Sequence, residues 1–133
     1  MKTASANRAD EIETRNTTSV VGADPFLRCL RGEFEGLEVP IPRTGILIGR
    51  DPAACRLVYA KTMMISRYHC KVTYSSRTGY FVVTDLNSAN GVYTEIDQRV
   101  EPGGKLALIP GQMFKLCGDD RTVLQVFVKA RRI

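Results

Sequence analysis

The chain has 133 residues, of which 44% are hydrophobic and 25% charged, with a formal net charge of +5. This is enough for one globular domain with a core of its own. No window of 18 apolar residues exists, which excludes a membrane-spanning helix. The positive balance favours an anionic partner without choosing among nucleic acid, a phosphopeptide and mere solubility.

Residues 1–24 (MKTASANRADEIETRNTTSVVGAD) are rich in Thr, Ser, Asn and charge and show no apolar period before Val20 and Val21. They are predicted to form a disordered arm. The start of the chain also lacks the apolar stretch of a secretory leader, which points to the cytoplasm.

From Pro25 the texture changes. PFLRCLRG, GLEVPIP, GILIGR, HCKVTYS, GYFVVTD, QMFKLCG and RTVLQVFVK are short runs rich in Val, Ile, Leu, Phe and Tyr. In HCKVTY the alternation puts Cys70, Val72 and Tyr74 on one face. Clusters of Gly, Pro, Asn and Asp separate the runs, as strands separated by turns require. LVYAKTMMI comes closest to a helix, but it lacks a cap and ends in β-branched Ile65. The spacing predicts an all-β sandwich or barrel over residues 25–129. Residues 130–133 read as a basic, solvated tail, too short for a membrane or nucleic-acid patch.

Two connections are long: RDPAACRLVYAKTMMISR and DLNSANGVYTEIDQRV. Loops at one end of a sandwich cluster, so distant stretches can build one site. The four cysteines, Cys29, Cys55, Cys70 and Cys117, include no CxxC pair, and a single histidine cannot complete the usual zinc spacings. They are expected to behave as small apolar residues, with neither metal nor other cofactor.

Within MMISRYHCKV, residues 63–72, Ser66 stands three residues before His69, the one histidine of the chain. A nucleophile and base would need a third group to orient the imidazole and an oxyanion hole. Asp85 could serve as the third group, but there is no GxSxG elbow, so catalysis is disfavoured. A basic barrel that stacks single-stranded nucleic acid would rest on Tyr74, Tyr80 and Phe81, a thin set in a chain with 8% aromatics and no Trp.

Four pieces stand in order: Gly49-Arg50, Ser66-Arg67-Tyr68-His69, the Asp85 to Gly91 loop DLNSANG, and Leu108-Ile109-Pro110-Gly111. Together they resemble the forkhead-associated (FHA) domain family, whose pattern is GR, SRxH, a loop ending in NG, and a late L..G turn. The resemblance covers roughly residues 25–128. It implies an eleven-strand β-sandwich of two mostly antiparallel sheets, and a reader of phosphothreonine peptides in signalling, not an enzyme. Arg50 and Ser66 match the family's phosphate contacts, Arg67 a further donor, and Asn90 the residue that holds the peptide main chain. His69 matches a structural histidine, and Gly49 and Gly91 match positions of backbone geometry. The implied partners are a phosphothreonine protein and the Ser/Thr kinase that modifies it, with no role for nucleic acid or membrane.

The chemistry of the residues agrees. A phosphate carries about −1.5 to −2 charge and three acceptor oxygens. Arg50 offers a planar fork, Ser66 a hydroxyl, Arg67 a backbone N–H and a second cation, and Asn90 an amide that both donates and accepts.

There are departures. Ala89 stands where the family often has Ser or Thr, so one donor is missing and a weaker site is expected. Thr94-Glu95 replace a usual Asn-Gly, so that turn should be built differently. Met64 lies where the family often reads the side chain three after the phosphothreonine, and it suggests an apolar preference. These departures also sustain an alternative, a phosphate-independent docking module on the same fold. Finally, NTTSV in the arm resembles a segment that kinases phosphorylate in some family members and that the domain then binds, with Asn16 in place of an acidic residue. Thr17 and Thr18 are thus candidate phosphosites for self-recognition.

Overall fold

The computed structural model describes residues 20–132, which form ten strands and no helix. In chain order they are β1 (Val20–Arg31), β2 (Glu38–Pro40), β3 (Ile46–Gly49), β4 (Leu57–Val58), β5 (Cys70–Tyr74), β6 (Phe81–Asp85), β7 (Val92–Thr94), β8 (Lys105–Leu108), β9 (Met113–Leu116) and β10 (Val123–Arg132). One sheet has the order β2-β1-β10-β9-β7 and the other β4-β3-β5-β6-β8. Every pairing is antiparallel except β3 with β4.

The two-residue alternation read from the sequence is what makes two faces. Cys70 and Val72 of β5, and Phe81, Val83 and Asp85 of β6, point inward and are buried. They meet Leu27 and Cys29 of β1, Phe114 and Leu116 of β9 and Leu124 and Val126 of β10 in one core. All four cysteines are free and buried; Cys29 lies in β1 and Cys70 in β5, Cys55 and Cys117 in the connections. Burying such apolar side chains contributes roughly 1.5–3 kcal/mol each, and it is the main force closing the sandwich.

Two boundaries and the strand count differ from the sequence reading. The first strand begins at Val20, so residues 20–24 belong to the sheet and not to the arm. The last strand runs to Arg132, so residues 130–132 are not a free tail. Both follow from one cause: Val20 pairs with Arg132, Ala23 with Ala130 and Asp24 with Lys129, and a ladder needs backbone partners, not apolar side chains. Pro25 is tolerated because its missing N–H faces the side where β2 ends; its carbonyl still accepts the Ile41 N–H at 2.9 Å. The strand count is ten, not eleven. Residues 98–100 return beside β7, with Val100 N–H on the Val92 carbonyl, but they form only the single bridge Tyr93 to Arg99.

The fold also fixes which loops meet. The C-terminal ends of β1, β3, β6 and β9 and the N-terminal ends of β5, β7 and β10 lie at one end of the sandwich, as the registers require. The connections β3–β4, β4–β5 and β6–β7 emerge together there. Val20 starts at the opposite end.

Candidate functional site

The site is built around one four-residue segment, residues 64–67, which five residues hold by its carbonyls. The Arg50 N–H is shared between the Ser66 and Arg67 carbonyls at 3.1 Å each, and the Asp51 N–H reaches the Arg67 carbonyl at 3.2 Å. The Cys55 thiol donates to that same carbonyl at 3.3 Å. Arg50 Nε donates to the Ile65 carbonyl at 2.6 Å. Asn90 Nδ2 donates to the Met64 carbonyl at 2.9 Å, and so does the Cys117 thiol at 3.3 Å. Burial pushes the Cys55 thiol up and the Cys117 thiol up to about 11, so both sulfurs keep the proton they donate. Gly49 makes the crossing possible: a Cβ there would lie 2.2 Å from the Arg67 carbonyl oxygen.

Ser66 and His69 are tied to the Asn90 loop. Ser66 Oγ accepts the Ala89 N–H at 2.9 Å. The Ser66 N–H donates to His69 Nδ1 at 3.0 Å. With Nδ1 accepting, the hydrogen of the neutral ring sits on Nε2, which donates to the Gly91 carbonyl at 2.7 Å. His69 is fully buried. That burial lowers its pKa, against the opposing pull of the Gly91 carbonyl and of Asp85. The imidazole therefore braces two loops and makes no bond to the Ser66 hydroxyl. Asp85 is likewise spent on structure: it accepts from Ser88 Oγ at 2.5 Å and from the Gly103 N–H at 3.1 Å. A nucleophile–base arrangement is absent here.

Arg67 is 70% exposed and its guanidinium lies 3.6 Å from Asp51. The Tyr68 hydroxyl donates to the same carboxylate at 2.7 Å. That hydrogen bond, then the Ala53 N–H and the Arg67 charge, hold the Asp51 carboxyl below the usual range. Glu33, in the β1–β2 turn, fixes the far side of the loop, accepting from the Lys61 N–H at 3.1 Å and Thr62 Oγ1 at 2.8 Å.

What remains uncommitted defines what the rim can do. Among the described residues, Arg50 Nη1 and Nη2, the Ser66 hydroxyl proton, the Arg67 backbone N–H, and Oδ1 and one N–H of Asn90 have no partner. These groups lie on the 64–67 segment and on the residues bonded to it.

The profile of the FHA domain family matches residues 46–117. The chain belongs to the FHA domain family. Solved FHA structures align over most of their length. The FHA domain of CT664 from Chlamydia trachomatis is 25% identical, with a TM-score of 0.66 over 78% of this chain and 96% of that one. The FHA domain of an Arabidopsis thaliana hypothetical protein is 23% identical, with a TM-score of 0.69 over 91% and 98%. The MEK1 FHA domain, solved with a HOP1 phosphothreonine peptide, is 22% identical, with a TM-score of 0.63 over 79% and 96%. No curated protein matches significantly.

The FHA fold thus brings Arg50, Met64, Ser66, Arg67, Ala89 and Asn90 to one rim, with Gly49, His69 and Gly91 beneath. Asn90-Gly91 does not form a type I′ turn, since φ is positive only at Gly91 (+86°) and not at Asn90. The turn after β7 is held by its own side chains. Thr94 Oγ1 accepts the Gln98 N–H at 3.1 Å, Asp97 adopts φ 65°, and Lys115 Nζ anchors Asp97 at 2.6 Å. The nucleic-acid trio does not form a platform, because Phe81 is fully buried and Tyr74 packs on it at 4.6 Å. Thr17 and Thr18 lie outside the described residues. Sequence reasoning missed Arg99, whose Nη2 lies 3.5 Å from the Ser88 and Ala89 carbonyls. It also missed the thiol donors of Cys55 and Cys117. A long-range contact of either kind leaves no local motif.

Proposed function

We propose that the rim binds phosphothreonine peptides and that the domain works as a phosphorylation-dependent interaction module, without catalysis. The observation that carries this reading is the set of uncommitted donors of Arg50, Ser66 and Arg67 on and beside the 64–67 segment, next to the amide of Asn90. In this reading Arg50 grips two phosphate oxygens with its outer fork, and Ser66 Oγ donates its proton while its lone pair holds the Ala89 N–H. The Arg67 N–H supplies a third bond, and the Asn90 amide pairs with the peptide backbone. Charge-assisted bonds contribute about 1.5–3 kcal/mol each, and two or three suffice for micromolar affinity after ordering costs. The MEK1 relative, solved with a phosphothreonine peptide, supports the same class of ligand. A Ser/Thr kinase supplies the modification. Calorimetric titration with a phosphothreonine peptide library and its unphosphorylated twin tests the reading: only the phosphorylated set should bind.

A second reading, phosphate-independent docking, is favoured by Asp51. Its carboxylate already occupies Arg67 at 3.6 Å and Ala89 offers no donor. Equal binding of both peptide sets would establish it.

Self-recognition through phosphorylated Thr17 or Thr18 is constrained by geometry. Thr18 is two residues from Val20 and reaches at most about 7 Å beyond it. The 12-residue β1 spans roughly 36 Å at about 3.3 Å per residue and leads away from the arm toward the site. With β1 paired, an arm phosphate reaches the rim of a second copy and not its own. Phosphorylated chain should therefore associate in a concentration-dependent way. Concentration-independent amide shifts at Arg50, Ser66 and Asn90 would refute the trans form.

A further inference from the structure

Arg99 lies outside every motif that marks the site. It sits on the segment that returns beside β7, bridged to Tyr93, and its side chain crosses over Gly91, where a Cβ would come within 2.6 Å of Nε. Only Nη2 has contacts, and at 3.5 Å to two carbonyls they are long. Among the described residues, Nε and Nη1 have no partner and no carboxylate pairs with the guanidinium. Most of the other cations nearby are neutralised: Arg67 by Asp51, Lys115 by Asp97 and Asp120, Arg121 by Asp119. Arg50, the principal phosphate ligand of the proposed function, shares this lack of an acidic partner.

The position is as telling as the vacancy. Ala89 separates Arg99 from Ser66 and presents only an exposed methyl group. Ser66 Oγ holds the Ala89 N–H at 2.9 Å and Arg99 Nη2 stands at 3.5 Å from the carbonyl of the same residue. The two donors are therefore no more than about 10 Å apart. An extended peptide advances about 3.3 Å per residue, so a group facing Arg99 belongs to a residue within about three positions of the phosphothreonine.

We propose that Arg99 is a specificity-determining residue that binds a second anionic side chain, a carboxylate or another phosphate, close to the phosphothreonine on the same peptide. The inference rests on the phosphopeptide reading and adds a sequence preference to it. Arg99 is exposed, so the effect is modest and salt-sensitive, about two- to five-fold in affinity for a carboxylate and more for a phosphate.

The test uses alanine-flanked phosphothreonine peptides with Gln, Glu or phosphoserine at one position within three residues on either side, titrated by fluorescence anisotropy at low and high salt. At one position or more the parent should prefer Glu to Gln. Arg99→Ala should erase that preference while binding the Gln peptide as the parent does, and Arg99→Lys should keep part of it. Preference for phosphoserine alone would identify the second anion as a phosphate. No preference at any position, or equal loss of Gln and Glu peptides in Arg99→Ala, would overturn the proposal in favour of a loop-bracing role. Should the parent bind the Gln peptide no better than its unphosphorylated twin, the phosphopeptide reading itself fails, and this inference with it.

Discussion

Gly49 carries the tightest steric constraint at the site. A methyl group there would meet the Arg67 carbonyl oxygen at 2.2 Å, so Gly49→Ala must push residues 66–67 outward. We expect a loss of about 1–3 kcal/mol, the usual cost of overpacking, read by thermal or denaturant unfolding, together with weakened peptide binding. His69 makes a pH prediction. Its pKa is lowered by burial, so unfolding releases a ring that takes up a proton the folded site refuses. Stability is full above about pH 6.5, the unfolded value, and falls below it by up to about 1.4 kcal/mol per pH unit until the folded value is reached. Denaturant midpoints between pH 5 and 8 check this, and His69→Ala should flatten the slope while costing about 2–4 kcal/mol at neutral pH. Arg50, Ser66, His69 and Asn90 were legible in the sequence because each sits in a short motif that resembles the FHA pattern; within one of these motifs the Ser66 N–H to His69 Nδ1 bond spans only three residues. Arg99, Cys55 and Cys117 were not. Their contacts reach 10, 12 and 53 residues along the chain, and nothing local marks them.

At the scale of elements, the β4–β5 loop is positioned from outside itself. The β1–β2 turn reaches it through Glu33, which accepts from Lys61 and Thr62. The Asn90 loop reaches it through Ala89 and Asn90. Glu33→Ala should leave the global unfolding transition within about 1 kcal/mol, as expected for a partly exposed hydrogen-bonding group. It should speed hydrogen exchange at Lys61 without affecting β5 or β6; unchanged exchange would show that the turn does not brace the loop. The runs that became β5 and β6 were legible by alternation, since one of their faces is buried. The ends of β1 and β10 were not, because Gly22, Ala23 and Ala130 owe their strand state to each other's backbone and carry no apolar signature. Thr94-Glu95 marked the turn after β7 as a departure from the family pattern. Its anchor on Lys115 depends on β9 and could not be read locally.

For the molecule as a whole, two sheets close over one core, and one end of that sandwich gathers the loops. Because β1 begins at Val20 and pairs with β10 to its end, a chain shortened to residues 20–133 should unfold with the same cooperativity and midpoint as the parent. A chain starting at residue 25 should lose the last pairings of β10 and melt earlier. No helix among the described residues is long and apolar enough to cross a membrane. The central claim is that Arg50 and Ser66 hold one phosphate group while Asn90, bonded to the same segment, holds the peptide backbone beside it. The most direct measurement is calorimetric titration of a phosphothreonine peptide library into the parent and into Arg50→Ala, whose fold is confirmed by its amide spectrum. Micromolar binding by the parent and none detectable by the variant is the result predicted here; equal binding by the two proteins would contradict it.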